Sequence, residues 1–175
     1  MLTLVFPRPE HEALWRDILF EIENAGEDII PYALKFGLHD YGEYLKKITA
    51  IHNDDGIAPL VPSTIYFLME ESEDRIIGAV DIRRRLNEKL LQSGGHIGYG
   101  IRPAMRRGGY ATRLLSLALL KCSEIGLEKV LLTCDKENTA SSGVILRNGG
   151  VLENEFLEEN DSITRVTQRY WITLR

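Results

Sequence analysis

The first 60 residues alternate apolar and polar positions in a way that predicts one strand followed by helices. Residues 2–6 are mostly apolar and end at a proline, as a short strand would. The segment 10–24 then carries apolar residues at helical spacing and stops at Gly26, which predicts a helix. Between 32 and 52 the apolar positions, which include Leu38, are sparser than in the preceding helix. One or two shorter helices are therefore expected there.

The middle of the chain predicts a β-meander. The segment 63–70 is rich in β-forming residues and is followed by a polar turn over 71–74. Residues 75–86 then have the character of a return strand in a hairpin. A helical turn over 87–92 and a short strand over 96–101 are predicted next, with a Ser-Gly-Gly break between them.

The last third of the chain predicts two helices and three strands. Leu114, Leu115 and Ala118 lie on one stripe of the first of these helices, which ends at Gly126. Asn138 is a suitable cap for the second helix. In order, we predict a helix over 112–125, a strand over 129–135, a helix over 139–147, and a hairpin of strands 151–157 and 163–174 around an acidic turn. This order indicates an α+β fold with helices packed on a mixed sheet.

Composition and charge exclude some classes of function. The 175 residues suit one domain spanning 1–175, because a domain of this size buries roughly 70% of its unfolded surface. Hydrophobic residues at 44% and charged residues at 27% are typical of a globular protein. A net charge of −5 argues against a nucleic-acid-coating protein and suits a neutral or cationic small substrate.

Cysteine usage and the N-terminus indicate a cytoplasmic protein. Cys122 and Cys134 lack the spacing of a metal site, and we interpret both as reduced core thiols. No basic leader precedes the first apolar residues, and no apolar run approaches the ~20 residues that a membrane span needs. Secretion and membrane insertion are therefore not expected.

The segment 97–112 combines a strand, a glycine-bearing loop and the start of a helix. Its sequence is Ile-Gly-Tyr-Gly-Ile-Arg-Pro-Ala-Met-Arg-Arg-Gly-Gly-Tyr-Ala-Thr. Backbone N–H groups and the positive end of a helix point to one place in such an arrangement, and they bind a pyrophosphate well. Gly108 and Gly109 permit close approach, and Arg106 and Arg107 add positive charge. A phosphate-bearing cofactor is therefore expected.

The spacing Arg-x-x-Gly-x-Ala at 106–111 resembles the acyl-CoA signature of the GNAT (GCN5-related) N-acetyltransferases. The runs Ile-Arg-Pro at 101–103, Cys-Asp-Lys-Glu-Asn at 134–138 and Arg-Asn-Gly-Gly at 147–150 are similar to a bacterial branch of predicted acetyltransferases in that family. The resemblance covers most of the chain from 63 to 175. It implies a GNAT fold: a mixed, mostly antiparallel sheet of six to seven strands flanked by about four helices, with a splayed parallel strand pair forming the acyl-CoA cleft.

The resemblance implies acetyl-CoA as cosubstrate. Ile101 would bond the pantetheine amides, the N–H near Tyr99 would face the thioester oxygen, and the loop 106–112 would wrap the pyrophosphate. Asn138 resembles the asparagine that contacts the cofactor arm, although a helix cap explains it equally well. The expected cofactor-binding residues are Tyr99, Gly100, Ile101, Arg106, Arg107, Gly108, Gly109, Tyr110, Ala111, Thr112, Asn138 and Ser141, and no metal is expected.

The catalytic groups depart from the family pattern at one position. Ile145 stands where many relatives carry the tyrosine that protonates the departing thiolate, which leaves Tyr99 and Tyr110 as candidate acids. His96 lies where related sequences carry a carboxylate, and it is the candidate general base, with a structural role as the alternative. The reserve bases are Asp81 and Glu70, for which surface solvation is the alternative.

Two charged groups could bind an acceptor, but solvated surface explains each as well. Arg83 and Arg85 share one face of a strand and could receive an acidic part of the acceptor. An acidic group in the terminal hairpin could attract a polyamine or an aminoglycoside. Its members are Glu153, Glu155, Glu158, Glu159 and Asp161.

These observations predict an N-acetyltransferase that moves acetyl from acetyl-CoA to a primary amine by direct attack in a ternary complex. The acceptor would be a small molecule or a peptide, with no nucleic acid and no membrane as partner, and the terminal hairpin could pair in a homodimer. A non-catalytic CoA-binding sensor or interaction module is the alternative, because of Ile145. A Rossmann-type enzyme fits less well, since Gly98-x-Gly100 lies inside the strand.

Overall fold

The computed structural model describes residues 1–37, 40–70, 75–160 and 163–174. The predicted turn over 71–74, and with it Leu38 and Asp161, lies outside the described residues. In chain order the elements are β1 (Leu2–Val5), α1 (Glu12–Asn24), α2 (Tyr41–Asn53), β2 (Ser63–Glu70), β3 (Ile76–Arg83), α3 (Glu88–Gln92), β4 (Ile97–Ile101), α4 (Tyr110–Glu124), β5 (Lys129–Asp135), α5 (Thr139–Arg147), β6 (Val151–Asn160) and β7 (Ile163–Thr173).

The seven strands form two antiparallel sheets. The first sheet has the order β1-β2-β3-β4, and the second has the order β5-β7-β6. The two sheets adjoin at β4 and β5, because His96, directly before β4, is hydrogen-bonded to Leu131 in β5. The sequence predicted one mixed sheet in which β4 and β5 form a splayed parallel pair. The described strand ladders include none between these two strands, so the sheet is divided there.

Most of the predicted elements are confirmed. The strands over 63–70 and 129–135 and the helix over 139–147 have the predicted bounds. The sparse region 32–52 forms a short 3₁₀ turn and α2, whose first turn is capped by Asp40 accepting a hydrogen bond from the N–H of Glu43 at 2.9 Å. Asp40 therefore marks the start of α2, and a stripe of buried apolar residues, Tyr41, Tyr44, Ile48 and Ile51, packs the helix onto the sheet.

Helices cover both faces of the first sheet, and each face has its own hydrophobic core. Leu114, Leu115 and Ala118 of α4 pack on one face, together with residues of α5 and β5. Trp15 and Ile18 of α1 pack with residues of α2 on the other face. Because successive residues of a strand point to opposite faces, β3 contributes to both cores and is buried along almost its whole length.

Candidate active site

The strands β4 and β5 are joined at one end and separate at the other. The N–H of His96 donates to the carbonyl oxygen of Leu131 at 2.8 Å, and the N–H of Leu131 donates to Nδ1 of His96 at 2.9 Å. Further along, the Tyr99 hydroxyl lies 3.1 Å from Oγ of Ser141, just beyond β5. Beyond the contact of His96 with Leu131, the described residues include no ladder between β4 and β5.

His96 holds the closed end of this cleft. Its side chain is buried, and burial together with the nearby Arg83 guanidinium lowers its pKa from the ordinary value. Nδ1 accepts a hydrogen bond, so in the neutral ring the proton is on Nε2. The ring could take a further proton only by giving up the bond to Leu131, which favours a positioning role over the role of general base.

We expect a pH-dependent contribution of His96 to stability. The unfolded chain takes up a proton near pH 6.5, above the lowered pKa of the folded state, so folding stability is lost as pH falls below that value. In His96→Asn, Oδ1 can still accept from Leu131 but cannot titrate. The Tm of the variant should therefore fall less between pH 7.5 and pH 5.5 than that of the wild type, as measured by calorimetry.

The wild type and this variant share their other buried histidine. His11 also has a pKa lowered by burial, but it is present in both proteins and its contribution cancels. An equal decrease in Tm in the two proteins would contradict the assignment.

The loop between β4 and α4 has the backbone of an anion site. Arg107 has a φ of 64° and Gly109 a φ of 79°, and Gly109 is the N-cap of α4. A left-handed residue next to right-handed ones turns successive N–H groups toward one side. Tyr110, Ala111 and Thr112 begin α4, where backbone N–H groups have no acceptor inside the helix. A Cβ on Gly109 would meet no atom within 4 Å, so the space beside it is open.

Two arginines of this region are held by α1 and the segment that follows it. Arg106 makes a bidentate ion pair with Glu27, with N–O distances of 2.7 and 2.5 Å. Arg102 is buried, contacts Glu21 and donates to Asp17 at 2.8 Å. The N–H of Ala104 donates to the same Glu21 carboxylate at 2.7 Å. Arg106 therefore holds the loop against the body of the protein in this structure.

The sequence did not identify Glu21 and Glu27 as functional. Both are acidic residues near the C-terminal end of α1, which is an unfavourable position for a carboxylate because of the helix dipole. That local conflict is the signal that could have indicated a tertiary partner for them. Although burial acts to raise the pKa of Glu21, hydrogen bonds, including those from Arg102, hold it below the ordinary range. Hydrogen bonds from Arg106 likewise lower the pKa of Glu27.

The open end of the cleft carries hydroxyl groups on the α5 side. Burial raises the pKa of Tyr99 to about 12, so its hydroxyl remains protonated at neutral pH. Asn138 accepts a hydrogen bond from the N–H of Ser141 at 3.0 Å, and this is the cap interaction that the sequence predicted. Ile145 is fully buried in the core beneath α5. Cys134 is also buried, and burial raises its pKa.

The reserve candidates lie on opposite faces of the first sheet. Asp81 is buried on the face covered by α1 and α2, where Nη2 of Arg83 lies 3.2 Å from its carboxylate. Glu70 is at the far end of β2, on the alternate face. Arg85 is exposed and pairs with Asp54.

The acidic group of the hairpin is largely engaged in ion pairs. Glu153 pairs with Arg169, Glu155 with Lys136, and Glu158 with Arg165. These ion pairs agree with the interpretation of the acidic group as a charged, solvated surface of the hairpin. In the parts of the chain that the structure describes, no cluster of side chains could hold a metal ion. Within the same parts, no helix is long and apolar enough to cross a membrane.

The match of a family model agrees with this site. The model of the acetyltransferase (GNAT) domain matches residues 4–151. The chain therefore belongs to the GNAT acetyltransferases, and it is an acyltransferase whose cosubstrate is acetyl-CoA. The resemblance to this family that the sequence indicated is confirmed. Among curated proteins, none matches this sequence.

Solved structures share the fold over nearly the whole chain. RimL, a ribosomal L7/L12 alpha-N-protein acetyltransferase in complex with coenzyme A, matches with a TM-score of 0.72 and 14% identity, covering 99% of this chain and 94% of that one. Mycobacterium smegmatis RimJ in complex with CoA-disulfide matches with a TM-score of 0.71 and 21% identity, covering 98% of this chain and 81% of that one. Mutant forms of the spermidine/spermine N-acetyltransferase SpeG from Vibrio cholerae match with a TM-score of 0.64 and 18% identity, covering 98% of this chain and 93% of that one. At these identities the matches show the predicted GNAT fold and no more.

Proposed function

We propose that this protein transfers acetyl from acetyl-CoA to a primary amine, by direct attack of the amine on the thioester in a ternary complex. The observation that carries the proposal is the separation of β4 from β5 beyond the contact of His96 with Leu131 in the described residues. Backbone groups that face such a gap need partners, and an extended pantetheine arm with its two amides supplies them. Gly100 and Ile101 are the residues of β4 at the open end.

The pyrophosphate of acetyl-CoA would bind at the start of α4. The N–H groups of 107–112 and the positive end of the helix favour an anion there. This use of the loop requires no contact from Arg106, whose guanidinium is already engaged by Glu27. The role of Arg106 would be to hold the loop in a binding conformation.

At the thioester, β4 would supply two forms of stabilisation. A backbone N–H near Tyr99 would face the thioester oxygen, and one preorganised donor of this kind can contribute ~3 kcal/mol to the transition state. The Tyr99 hydroxyl, supported by Ser141, would donate a hydrogen bond to the departing thiolate. Tyr99 would then compensate for the aliphatic side chain of Ile145.

The acceptor is proposed to be a small-molecule or peptide amine. The net charge of −5 suits a cationic acceptor and disfavours nucleic acid or an anionic membrane as partner. We also propose that the chain acts as one cytoplasmic domain, consistent with its two buried free cysteines. Pairing of the terminal hairpin in a homodimer is part of this proposal. Neighbours of this fold acetylate either proteins or polyamines according to their names, so both acceptor types need to be tested.

The first experiment is calorimetric titration with acetyl-CoA, followed on the same sample by thiol release against propylamine, spermidine and a serine-initiated peptide. Binding with turnover would support the proposal and begin to define the acceptor. Binding without turnover for any of them would favour the alternative, a CoA-binding sensor, with which the apolar Ile145 agrees. Absence of binding would contradict the assignment of the loop 106–112.

The role of Arg106 can be tested by exchanging either member of its ion pair. If Arg106 positions the loop through Glu27, Arg106→Gln and Glu27→Gln should each raise the Kd for acetyl-CoA by about three- to tenfold, and the double variant should add little, because both changes break one interaction. Calorimetry measures all three constants. If Arg106 bound the pyrophosphate directly, Glu27→Gln would release it and affinity would stay equal or increase. Arg85→Gln, which breaks an exposed ion pair elsewhere, is the control.

A further inference from the structure

We propose that Asn148 is a positioning residue for cofactor binding, because its side-chain amide fixes the first turn of α4 to the end of α5. The inference rests on the proposed function, since that turn carries N–H groups that would bind the pyrophosphate of acetyl-CoA. Asn148 would act through the backbone of α4 and make no contact with the cofactor itself.

The first observation is that the side chain of Asn148 joins two helices. Its Nδ2 donates to the carbonyl oxygen of Val144 in α5 at 2.9 Å and to that of Thr112 in α4 at 3.3 Å. Asn148 directly follows the last residue of α5, and Thr112 is the third residue of α4. A primary amide has two N–H groups on one nitrogen, so one half-buried side chain can bridge the two carbonyl groups.

The second observation is that the backbone alone completes the end of α5. The N–H of Asn148 donates to the carbonyl oxygen of Ile145 at 3.1 Å, and the N–H of Gly149 donates to that of Leu146 at 3.0 Å. The N–H of Gly150 also donates to Ile145, at 3.0 Å. Gly149 has a φ of 85°, as is common for a glycine that ends a helix. Termination of α5 therefore does not account for the contact between Asn148 and α4.

The third observation is that Thr112 belongs to the turn that would face the pyrophosphate. Gly109 is the N-cap of α4, and the N–H of Arg113 donates to its carbonyl oxygen at 3.2 Å, which closes this turn. The N–H groups of 110–112 lie in the same turn and have no acceptor inside the helix. A hydrogen bond from Asn148 to the Thr112 carbonyl therefore restrains the turn that carries the proposed donors.

The contact also relates the anion loop to the other end of the proposed cofactor site. α5 begins at the open end of the cleft, where Oγ of Ser141 lies 3.1 Å from the Tyr99 hydroxyl. Leu114 of α4 and Val144 of α5 belong to one hydrophobic core. Apolar contacts are not directional, whereas a hydrogen bond is. Acetyl-CoA would contact both helices, so its affinity should depend on the directional contact that Asn148 makes between them.

The test replaces Asn148 by leucine, which has nearly the same shape and no donor. We expect the Kd for acetyl-CoA to rise about five- to tenfold, as loss of one hydrogen bond commonly does. S-acetylpantetheine has the thioester arm but no pyrophosphate, so its Kd should stay within about twofold. Calorimetry measures the first constant and NMR titration the second. An unchanged Kd for acetyl-CoA, or an equal loss of affinity for both ligands, would overturn the proposal.

Amide hydrogen exchange tests the restraint itself, without any ligand. The N–H of Arg113 closes the first turn of α4, so it should exchange faster in Asn148→Leu than in the wild type. The amide of Cys122, in the second half of the same helix, should exchange at the same rate in both proteins. Equal exchange at Arg113 in the two proteins would contradict the role of Asn148.

Two further variants separate positioning from stability. Asn148→Asp also lacks the donor and adds a negative charge, so its Kd for acetyl-CoA should rise further than that of Asn148→Leu. Asn87 is the matched control, because its side chain accepts a hydrogen bond from the N–H of Leu90 at 2.9 Å as the cap of α3. Asn87→Leu should lower the Tm while its Kd for acetyl-CoA stays at the wild-type value. Wild-type affinity in Asn148→Asp would overturn the proposal.

The outcomes distinguish this inference from the proposed function. A wild type that binds acetyl-CoA more tightly than S-acetylpantetheine, with the same preference in Asn148→Leu, would overturn the role of Asn148 alone. A wild type without that preference would overturn the proposed binding of the pyrophosphate at α4, and this inference with it.

Discussion

Replacing Gly109 by valine should raise the Kd for acetyl-CoA about 100-fold or more. A side chain at this N-cap would fill the open space beside the first N–H groups of α4, where the pyrophosphate is proposed to bind. Valine would also be strained at a φ of 79°, at a cost of roughly 1–2 kcal/mol. Calorimetric titration measures the affinity, and a thermal melt measures the stability.

Gly126→Val is the matched control for this prediction. Gly126 follows α4 at its other end and has a φ of 83°, and a Cβ added there would likewise meet no atom within 4 Å. Both variants should therefore lose similar stability, while only Gly109→Val loses affinity. Equal affinities in the two variants would mean that the pyrophosphate binds elsewhere.

Replacing Tyr99 by phenylalanine should lower kcat by about 10- to 100-fold. The variant keeps the packing of the ring but loses the hydroxyl, which is proposed to hydrogen-bond the departing thiolate. The Kd for acetyl-CoA should change by less than twofold, because the hydroxyl acts mainly on charge that develops in the transition state. Because the pKa of Tyr99 is about 12, its titration should not appear in the rate between pH 6 and 9.

Tyr66→Phe is the control for the loss of a tyrosine hydroxyl. Tyr66 lies on β2, packs against the same core and also has a pKa raised by burial, but it is two strands from β4. Its variant should keep the wild-type kcat. An unchanged kcat in Tyr99→Phe would assign thiolate stabilisation to another group or to solvent.

The elements that the sequence predicted well are those with strong local signals. The helix over 139–147 has an asparagine cap and a glycine stop, and the strand over 129–135 is a continuous apolar run, so local pattern and tertiary role agree. In the region 32–52 the apolar stripe of α2 was missed, although its members lie at helical spacing and are buried: Tyr41, Tyr44, Ile48 and Ile51. The return strand ends at Arg83 rather than at 86, because the following residues leave the ladder.

The sequence indicated the part of the candidate site that depends on the backbone of one contiguous segment. It did not indicate the parts that depend on contacts between distant side chains. The glycine loop and its helix start are contiguous, so their sequence alone indicated an anion site. The position of the His96 ring depends on Leu131, 35 residues away, and only that contact shows which ring nitrogen is engaged. The partners of Arg106 and Arg102 come from α1 and the segment after it, about 80 residues earlier in the chain. A local pattern can indicate that a charged residue needs a tertiary partner, but it does not identify that partner.

The sequence by itself therefore determined the order of the elements, the glycine loop before α4 and membership of the acetyltransferase family, because each depends on residues close together in the chain. The tertiary structure decided how the sheet is divided at β4 and β5 and which charged groups are neutralised. It also decided which buried polar atoms have no donor. The burial of Asp81 and of Tyr44 in particular arises from strands and a helix that meet only on folding, and the free energy of a buried charge depends on the groups that folding brings around it.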